Sequence, residues 1–432
     1  MSGRCPPMTV LANAWRTWWA GRPRGAEAGA LPPSLSGPSL SGPVLSSADV
    51  IVSHIEVCDR HGVGRLLQML FDGHPNILSI RSANFHAGAQ EFGAHHLCIS
   101  HAATSRDAVR ATVASALGAT TVARVLCVPY FADDVRTALA LHDIFGAPLC
   151  TYIMDDQNVH ASGISDDLMR ELLTKSQVRL AISPEMASVY GEKYGLAMGY
   201  MPPLAPRRMI PDHLVPPPER ADSRHGICIG NIWGQRWVEL LRNTVRGSGE
   251  TLTWYCNGEF RWLPCGRHDL IADSIIPRDP LPEPMLVDAL RNHVYAVVPS
   301  GTLDASDDRR FIAQLSLPSR IPYMMATAQI PIIVLGSRET GASRFVEQFG
   351  IGVTAGYDTA SFSEAVNYIT QPDVNLSMRQ RAYAVAGQFA DAGAAEWIWQ
   401  SLAAGRPYDR RYEDLILTRE PDPSGLAADA KY

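Results

Sequence analysis

The stretch LPSRIPYMMATAQIPIIVLGSRETG, Leu317 to Gly341, decides how the chain is read. Pro331–Leu335 is a short apolar run closed by Gly336. A polar tip, Ser337–Gly341, then leads into an amphipathic segment, Arg344 to Phe349. Strand, glycine, polar tip and helix, in that order, predict one unit of a parallel α/β sheet. Ligands of such sheets sit at the carboxyl ends of the strands, which here is the Ser337–Gly341 tip with Glu339, Thr340 and Gly341. Upstream, the proline-flanked pair Ser319–Arg320 precedes Tyr323–Ala328, which reads as a short helix. Two polar clusters at two corners of one unit predict a ligand with two anionic or hydroxylated ends.

The same alternation extends in both directions. Before it, Val50–Ile55, Asn76–Ile80, Leu97–Ser100, Val125–Pro129, Leu149–Met154 and Val178–Ser183 read as strands, with helical patterns at Ser105–Leu117, Asp133–Phe145 and Asp166–Ser176. Strands alternating with amphipathic helices predict a parallel sheet covered on both faces. Met201–Pro218 is dense in proline and aperiodic, the composition of a semi-rigid connector. A second series follows at Gly226–Gly230, Thr251–Cys256, Ser274–Pro277 and Val294–Val298. The fold class expected is therefore α/β, with two Rossmann-like parallel-sheet domains facing each other across a cleft. The expected divisions are a flexible leader (1–47), a first domain (48–205), a proline-rich linker (206–222), a second domain (223–385), and a crossover helix with a tail (386–432). The cleft between the domains is the place for a ligand.

Candidate site residues follow from strand ends. Gly62 and Gly64, in HGVG after the first strand, let backbone approach a ligand and expose N–H groups at a helix start, although a tight turn explains them equally well. Asp155 and Asp156, directly after Leu149–Met154, offer paired carboxylates for hydroxyl-rich ligands or a cation, with helix capping as the plain alternative. Ser300 and Gly301 follow the strand at Val294–Val298, and Arg236 follows the one at Gly226–Gly230.

Composition narrows the function classes. With a net charge of −6 and 19% charged residues, the chain has no basic character to attract nucleic acid. Its eight cysteines form no CxxC and several lie in apolar runs, so they read as small buried hydrophobes in a reducing compartment. No metal site is expected, and His95, His96 and His101 have no familiar ligand spacing. No apolar run is long enough to span a bilayer. The leader is rich in Pro, Gly and Ser, and Trp15, Trp18 and Trp19 beside Arg16 leave peripheral membrane contact as a second reading.

Three pieces together resemble the GT-B glycosyltransferases, in particular the retaining branch that uses nucleotide-activated sugars (the group 1, family 4-like enzymes). They are HGVGRLL at His61–Leu67, VVPSGTLDASDD at Val297–Asp308 with LPSRIPYMMA after it, and PIIVLGSRETGASRFVEQFGIGV at Pro331–Val353. The resemblance spans roughly Val50–Ala403. It implies a first domain that binds the acceptor and a second that binds a nucleotide-diphosphate sugar, with no cofactor required. It places Ser319, Arg320 and Arg236 toward the diphosphate, and Glu339, Thr340 and Gly341 toward sugar or ribose. The sequence departs from it at Tyr323–Met324, where a glutamate is the family's usual residue. The implied activity is transfer of a sugar to a hydroxyl of a saccharide or lipid-linked acceptor. The implied setting is bacterial polysaccharide or glycolipid assembly, in the cytoplasm or at the inner face of the membrane. An inverting reaction would need Asp155 or Asp156 as base; a retaining one would not. A sugar-nucleotide epimerase and a non-catalytic nucleotide-sugar binding protein are the alternatives.

Overall fold

The computed structural model describes residues 46–86, 92–219, 224–256, 263 and 265–417. The expected leader up to Leu45 and the tail beyond Leu417 lie outside these residues.

The first sheet is built from β1 (Ala48–Ser53), β2 (Ile77–Arg81), β3 (His95–Cys98), β4 (Val122–Cys127), β5 (Leu149–Ile153), β6 (Val178–Ala181) and β7 (Gly199–Tyr200). Every recorded strand pair in it is parallel, and the spatial order is β3-β2-β1-β4-β5-β6-β7. The second sheet holds β8 (His225–Ile229), β9 (Thr251–Tyr255), β10 (Ile275–Arg278), β11 (Ala296–Pro299), β12 (Ile332–Leu335) and β13 (Gly352–Ala355), in the order β10-β9-β8-β11-β12-β13 and again parallel. In both sheets the order reverses next to the first strand, between β1 and β4 and between β8 and β11. A crevice opens there, outside the carboxyl ends of the strands. The topology thus gives a candidate ligand position before any side chain is considered.

Alternation along the strands shows how the core is divided. Ile51, Leu126 and Tyr152 of the first sheet share one apolar cluster with Ile227, Val298, Ile332 and Val334 of the second. Their neighbours face the other way: Val50, Val52 and Val125 into a cluster behind the first sheet, Cys228, Val297 and Ile333 into one behind the second. Residues i and i+2 share a face, so one side of each strand belongs to the common core and the other to its own domain. The helix Ala394–Ala404 completes the common core from the far end of the chain. Its Trp399 ring lies 5.3 Å from that of Phe71, which ends the first helix, Gly62–Phe71.

Local signals explain several helix limits. Ser183 accepts from the Met186 N–H with Pro184 at the first helical position, and Thr340 and Asp358 cap their helices in the same way. Glycines with positive φ end the helices at Gly146, Gly195 and Gly350. The seven described cysteines are free and all but Cys98 are buried. Among the described residues, no helix is long and apolar enough to cross a membrane.

Candidate functional site

The crevice of the second sheet carries an arginine with no acid. Arg320 opens the helix Arg320–Ala328, and its guanidinium Nη1 donates to the Ile229 carbonyl oxygen at the end of β8, 2.9 Å away. A Cβ on Gly230 would come within 3.6 Å of the same nitrogen. Among the described residues no carboxylate pairs with Arg320, whereas Arg224, Arg242, Arg246 and Arg344 of the same domain each have one. Burial of the guanidinium lowers its pKa, since low polarity disfavours the charge. Two polar atoms after β8, Asn231 Oδ1 and Arg236 Nε at the start of the helix Gln235–Val245, are buried and have no hydrogen-bond partner among the described residues. Buried polar atoms are nearly always satisfied, so two orphans beside a strand-order reversal make this crevice a candidate place for a ligand. Arg236 also lies close enough to Asp304 to help hold its carboxyl low, at about 2, after the larger effects of Ser306 and Thr302.

The tips after β11 and β12 are clamped together. Ser300 is buried, and the Tyr357 hydroxyl accepts from its N–H and donates to its carbonyl at 3.1 and 2.7 Å. Gly301 is obligatory, because a Cβ there would fall 2.4 Å from Asp307 Oδ2. The Ser337 N–H donates to the Gly301 carbonyl at 2.8 Å. Asp307 is itself spent on Trp237 Nε1 and the N–H groups of Leu303 and Arg309, and Asp308 on the Gln235 N–H. The tip expected to meet a sugar divides its roles. Thr340 is buried as a helix cap, and Gly341 allows close packing, where a Cβ would lie 2.9 Å from the Ser316 carbonyl. Of the three, Glu339 alone exposes its side chain.

The first domain meets this surface with the turn after β1. Gly62 faces Ser319, whose Oγ would stand 3.4 Å from a Cβ placed there. Gly64 turns inward: its Cβ would fall 2.5 Å from the Cys58 carbonyl, so its glycine answers to the turn itself. His61 caps the helix. Its Nδ1 accepts from the Gly64 N–H at 3.2 Å and its Nε2–H donates to the Glu56 carbonyl at 2.7 Å, which fixes the neutral tautomer. Desolvation lowers its pKa despite the opposing pull of the Glu56 carbonyl.

The two adjacent aspartates have opposite environments. Asp155 points across the cleft: it accepts from the Tyr130 hydroxyl at 2.5 Å and from Ser316 Oγ of the second domain at 2.9 Å. Desolvation raises its pKa, against the lowering effect of those two bonds. Asp156 is 3% exposed and accepts from the N–H groups of Asn158, Val159, His160 and Ala161 and from the Tyr190 hydroxyl. The expectation of Asp156 as a catalytic base is thereby corrected. Both of its oxygens are consumed in holding the loop after β5, so it has no free face for an acceptor.

Several residues of the cleft were not singled out by their sequence context. The His54 ring stacks on Tyr130 at 4.0 Å, and His61 stacks on His86 at 5.8 Å. Phe131 and His54 meet edge-on at 5.8 Å. Across the opening, His160 of the first domain stacks on Phe311 of the second at 4.2 Å. The only signal that could have found them is position, each lying just after a strand or on a short helix facing one.

Beneath these rings sits Asp134, fully buried, bonded to Ser82 Oγ and to the N–H groups of Tyr130 and Phe131. Desolvation pushes its carboxyl up to about 7, in spite of those bonds. A folded pKa above the unfolded one stabilises fully below about pH 4 and is lost as pH rises through about 7. The parent protein should therefore lose about 2–3 kcal/mol relative to Asp134→Asn between pH 5 and pH 8. Denaturant midpoints of the two proteins at those pH values check this; parallel shifts would refute it.

No protein-family model and no curated protein sequence matches the chain. Solved structures do. Anabaena Alr3699/HepE in complex with UDP superimposes with a TM-score of 0.59 at 13% identity, covering 83% of this chain and 100% of the other. S. aureus MnaA, also recorded with UDP, gives 0.51 at 12% identity, covering 88% and 100%. At these identities the likeness concerns architecture alone, and it agrees with the two sheets, their strand orders and the cleft. The chain has the GT-B fold, two Rossmann-like parallel-sheet domains on either side of a cleft.

Proposed function

We propose that this protein is a glycosyltransferase that moves a sugar from a nucleotide-diphosphate sugar to a hydroxyl of a saccharide or lipid-linked acceptor. The observation that carries the reading is Arg320, a half-buried cation without an acid partner at the crevice of the second sheet, beside the orphaned Arg236 Nε and Asn231 Oδ1. A departing diphosphate develops negative charge, and a pre-placed guanidinium with helix-start N–H groups stabilises it without reorganisation. Arginine and main-chain groups, rather than a cofactor, meet that charge. The two UDP-bound structures of the same fold support a uridine nucleotide as the first ligand to try. Ser319, Ser300 and Glu339 are the remaining polar groups proposed for the donor, and polysaccharide or glycolipid assembly is the proposed setting.

Asp155 is the proposed base if the reaction inverts. Its carboxylate joins the two domains, accepting from Tyr130 of the first and Ser316 of the second. Asp155→Asn should lower turnover by about 10²–10⁴-fold with UDP affinity unchanged. Since its folded pKa is raised, the acid limb of the parent's pH–rate profile should lie above the ordinary aspartate range. Undiminished turnover in the variant would leave a retaining, front-face transfer as the mechanism. Calorimetric titration with UDP and UDP-sugars tests the whole reading, and absence of binding by any nucleotide-diphosphate sugar would end it.

A further inference from the structure

Apart from the donor crevice, one cluster in the cleft has ligand chemistry of its own. Cys58 and His61 come from the turn after β1 and His86 from the segment after β2, neighbours that the sheet order places side by side. One ligand atom from each of the three lies within 4.8 Å of those of the other two. We infer that Cys58, His61 and His86 form a binding site for a single zinc ion on the first domain's side of the cleft.

The donor set selects the metal class. One thiolate with two imidazoles suits zinc among the divalent ions, while magnesium and calcium want oxygen. In a tetrahedral zinc site the ligand atoms stand about 3.5 Å apart, given Zn–S near 2.3 Å and Zn–N near 2.0–2.1 Å. Closing from 4.8 Å is within the reach of side-chain rotation. His61 is already set up as metal-bound histidines usually are: its Nε2–H is tied to a main-chain carbonyl, that of Glu56, so the lone pair lies on Nδ1. That lone pair holds only the Gly64 N–H at 3.2 Å, the long end of the hydrogen-bond range, and the ion would take its place. Zinc is held by the thiolate, so binding must release the Cys58 proton and should strengthen with pH.

Three protein ligands leave the fourth position of a tetrahedron to water or to a hydroxyl. His61 lies edge-on to His54 at 5.6 Å, and His54 stacks on Tyr130, which holds Asp155. The cluster thus adjoins, through His54 and Tyr130, the Asp155 carboxylate proposed to meet the acceptor hydroxyl. The ion would also fix the turn that carries Gly62. The competing account is that the thiol and the rings merely pack, as small apolar groups do.

The full-length protein, stripped with a chelator and dialysed, is titrated with zinc and with cobalt(II). The expected result is one equivalent bound, with tetrahedral d–d bands and a thiolate-to-cobalt charge-transfer band for cobalt. Cys58→Ser should abolish the charge-transfer band, and His86→Asn should weaken zinc at least 10-fold, both variants keeping the parent's metal-free circular dichroism. Cys98→Ser is the control and should retain the band. If Cys58→Ser does not fold, His86→Asn decides alone. Binding below one equivalent, a band that survives Cys58→Ser, or His86→Asn with parental zinc affinity would overturn the site.

Discussion

Arg320→Ala should weaken UDP by about 100-fold or more while melting within a few degrees of the parent. Removing one partner of a desolvated, charge-assisted contact costs about 2–5 kcal/mol, which is roughly 30- to several-thousand-fold in affinity. The same change touches the fold lightly, because the recorded protein partner of the guanidinium is one carbonyl, that of Ile229. Losing such a bond costs about 1 kcal/mol, and relief of the buried charge offsets part of it. Arg320→Lys should recover only part of the affinity, since an ammonium lacks the planar fork that grips two phosphate oxygens. Calorimetry with UDP and thermal melts on the three proteins give the result. Affinity within threefold of the parent for the alanine variant would remove Arg320 from the site.

The Asp156→Ala variant is expected to fail in the opposite way, through stability. Five donors converge on its buried carboxylate, four of them main-chain N–H groups of the loop Asn158–Ala161 and the fifth the Tyr190 hydroxyl. Hydrogen bonds to a charged group contribute about 1.5–3 kcal/mol each, and stranded donors add a desolvation cost. A loss of about 3 kcal/mol or more follows, seen as a melting point lowered by about 6–12 °C in a domain of this size. Asp155→Asn, one residue away, should melt close to the parent. Equal stability of Asp156→Ala and the parent would restore Asp156 as a candidate for chemistry.

That neighbouring pair shows what sequence can and cannot resolve. Asp-Asp after a buried strand reads as a ligand site, and strand position does locate the cleft. Which carboxylate faces the partner domain depends on Ser316 and Tyr130, distant along the chain and close only after folding. The glycines divide in the same manner. Gly62 opens toward Ser319 and Gly64 toward its own Cys58 carbonyl, although both sit in one GVG turn. The architecture was legible because apolar runs, strand-end glycines and capping residues are local signals. The short β7 and β13 carry little apolar periodicity, and the pairing of Gly352 with Ile332 forms only against a neighbour already in place. The Cys58–His61–His86 cluster escaped for a related reason: its spacing follows sheet order rather than a sequence interval.

The return of the helix Ala394–Ala404 to the first domain has a consequence for synthesis. Phe71 emerges from the ribosome with the opening of the first domain, whereas Trp397 and Trp399 emerge only after the entire second domain has been made. At ordinary elongation rates the interval runs from roughly fifteen seconds to about a minute. Throughout it, Phe71 and its neighbours in the shared apolar cluster lack their final cover. The first domain is encoded first and finished last, so the nascent chain carries an open hydrophobic face for most of its translation.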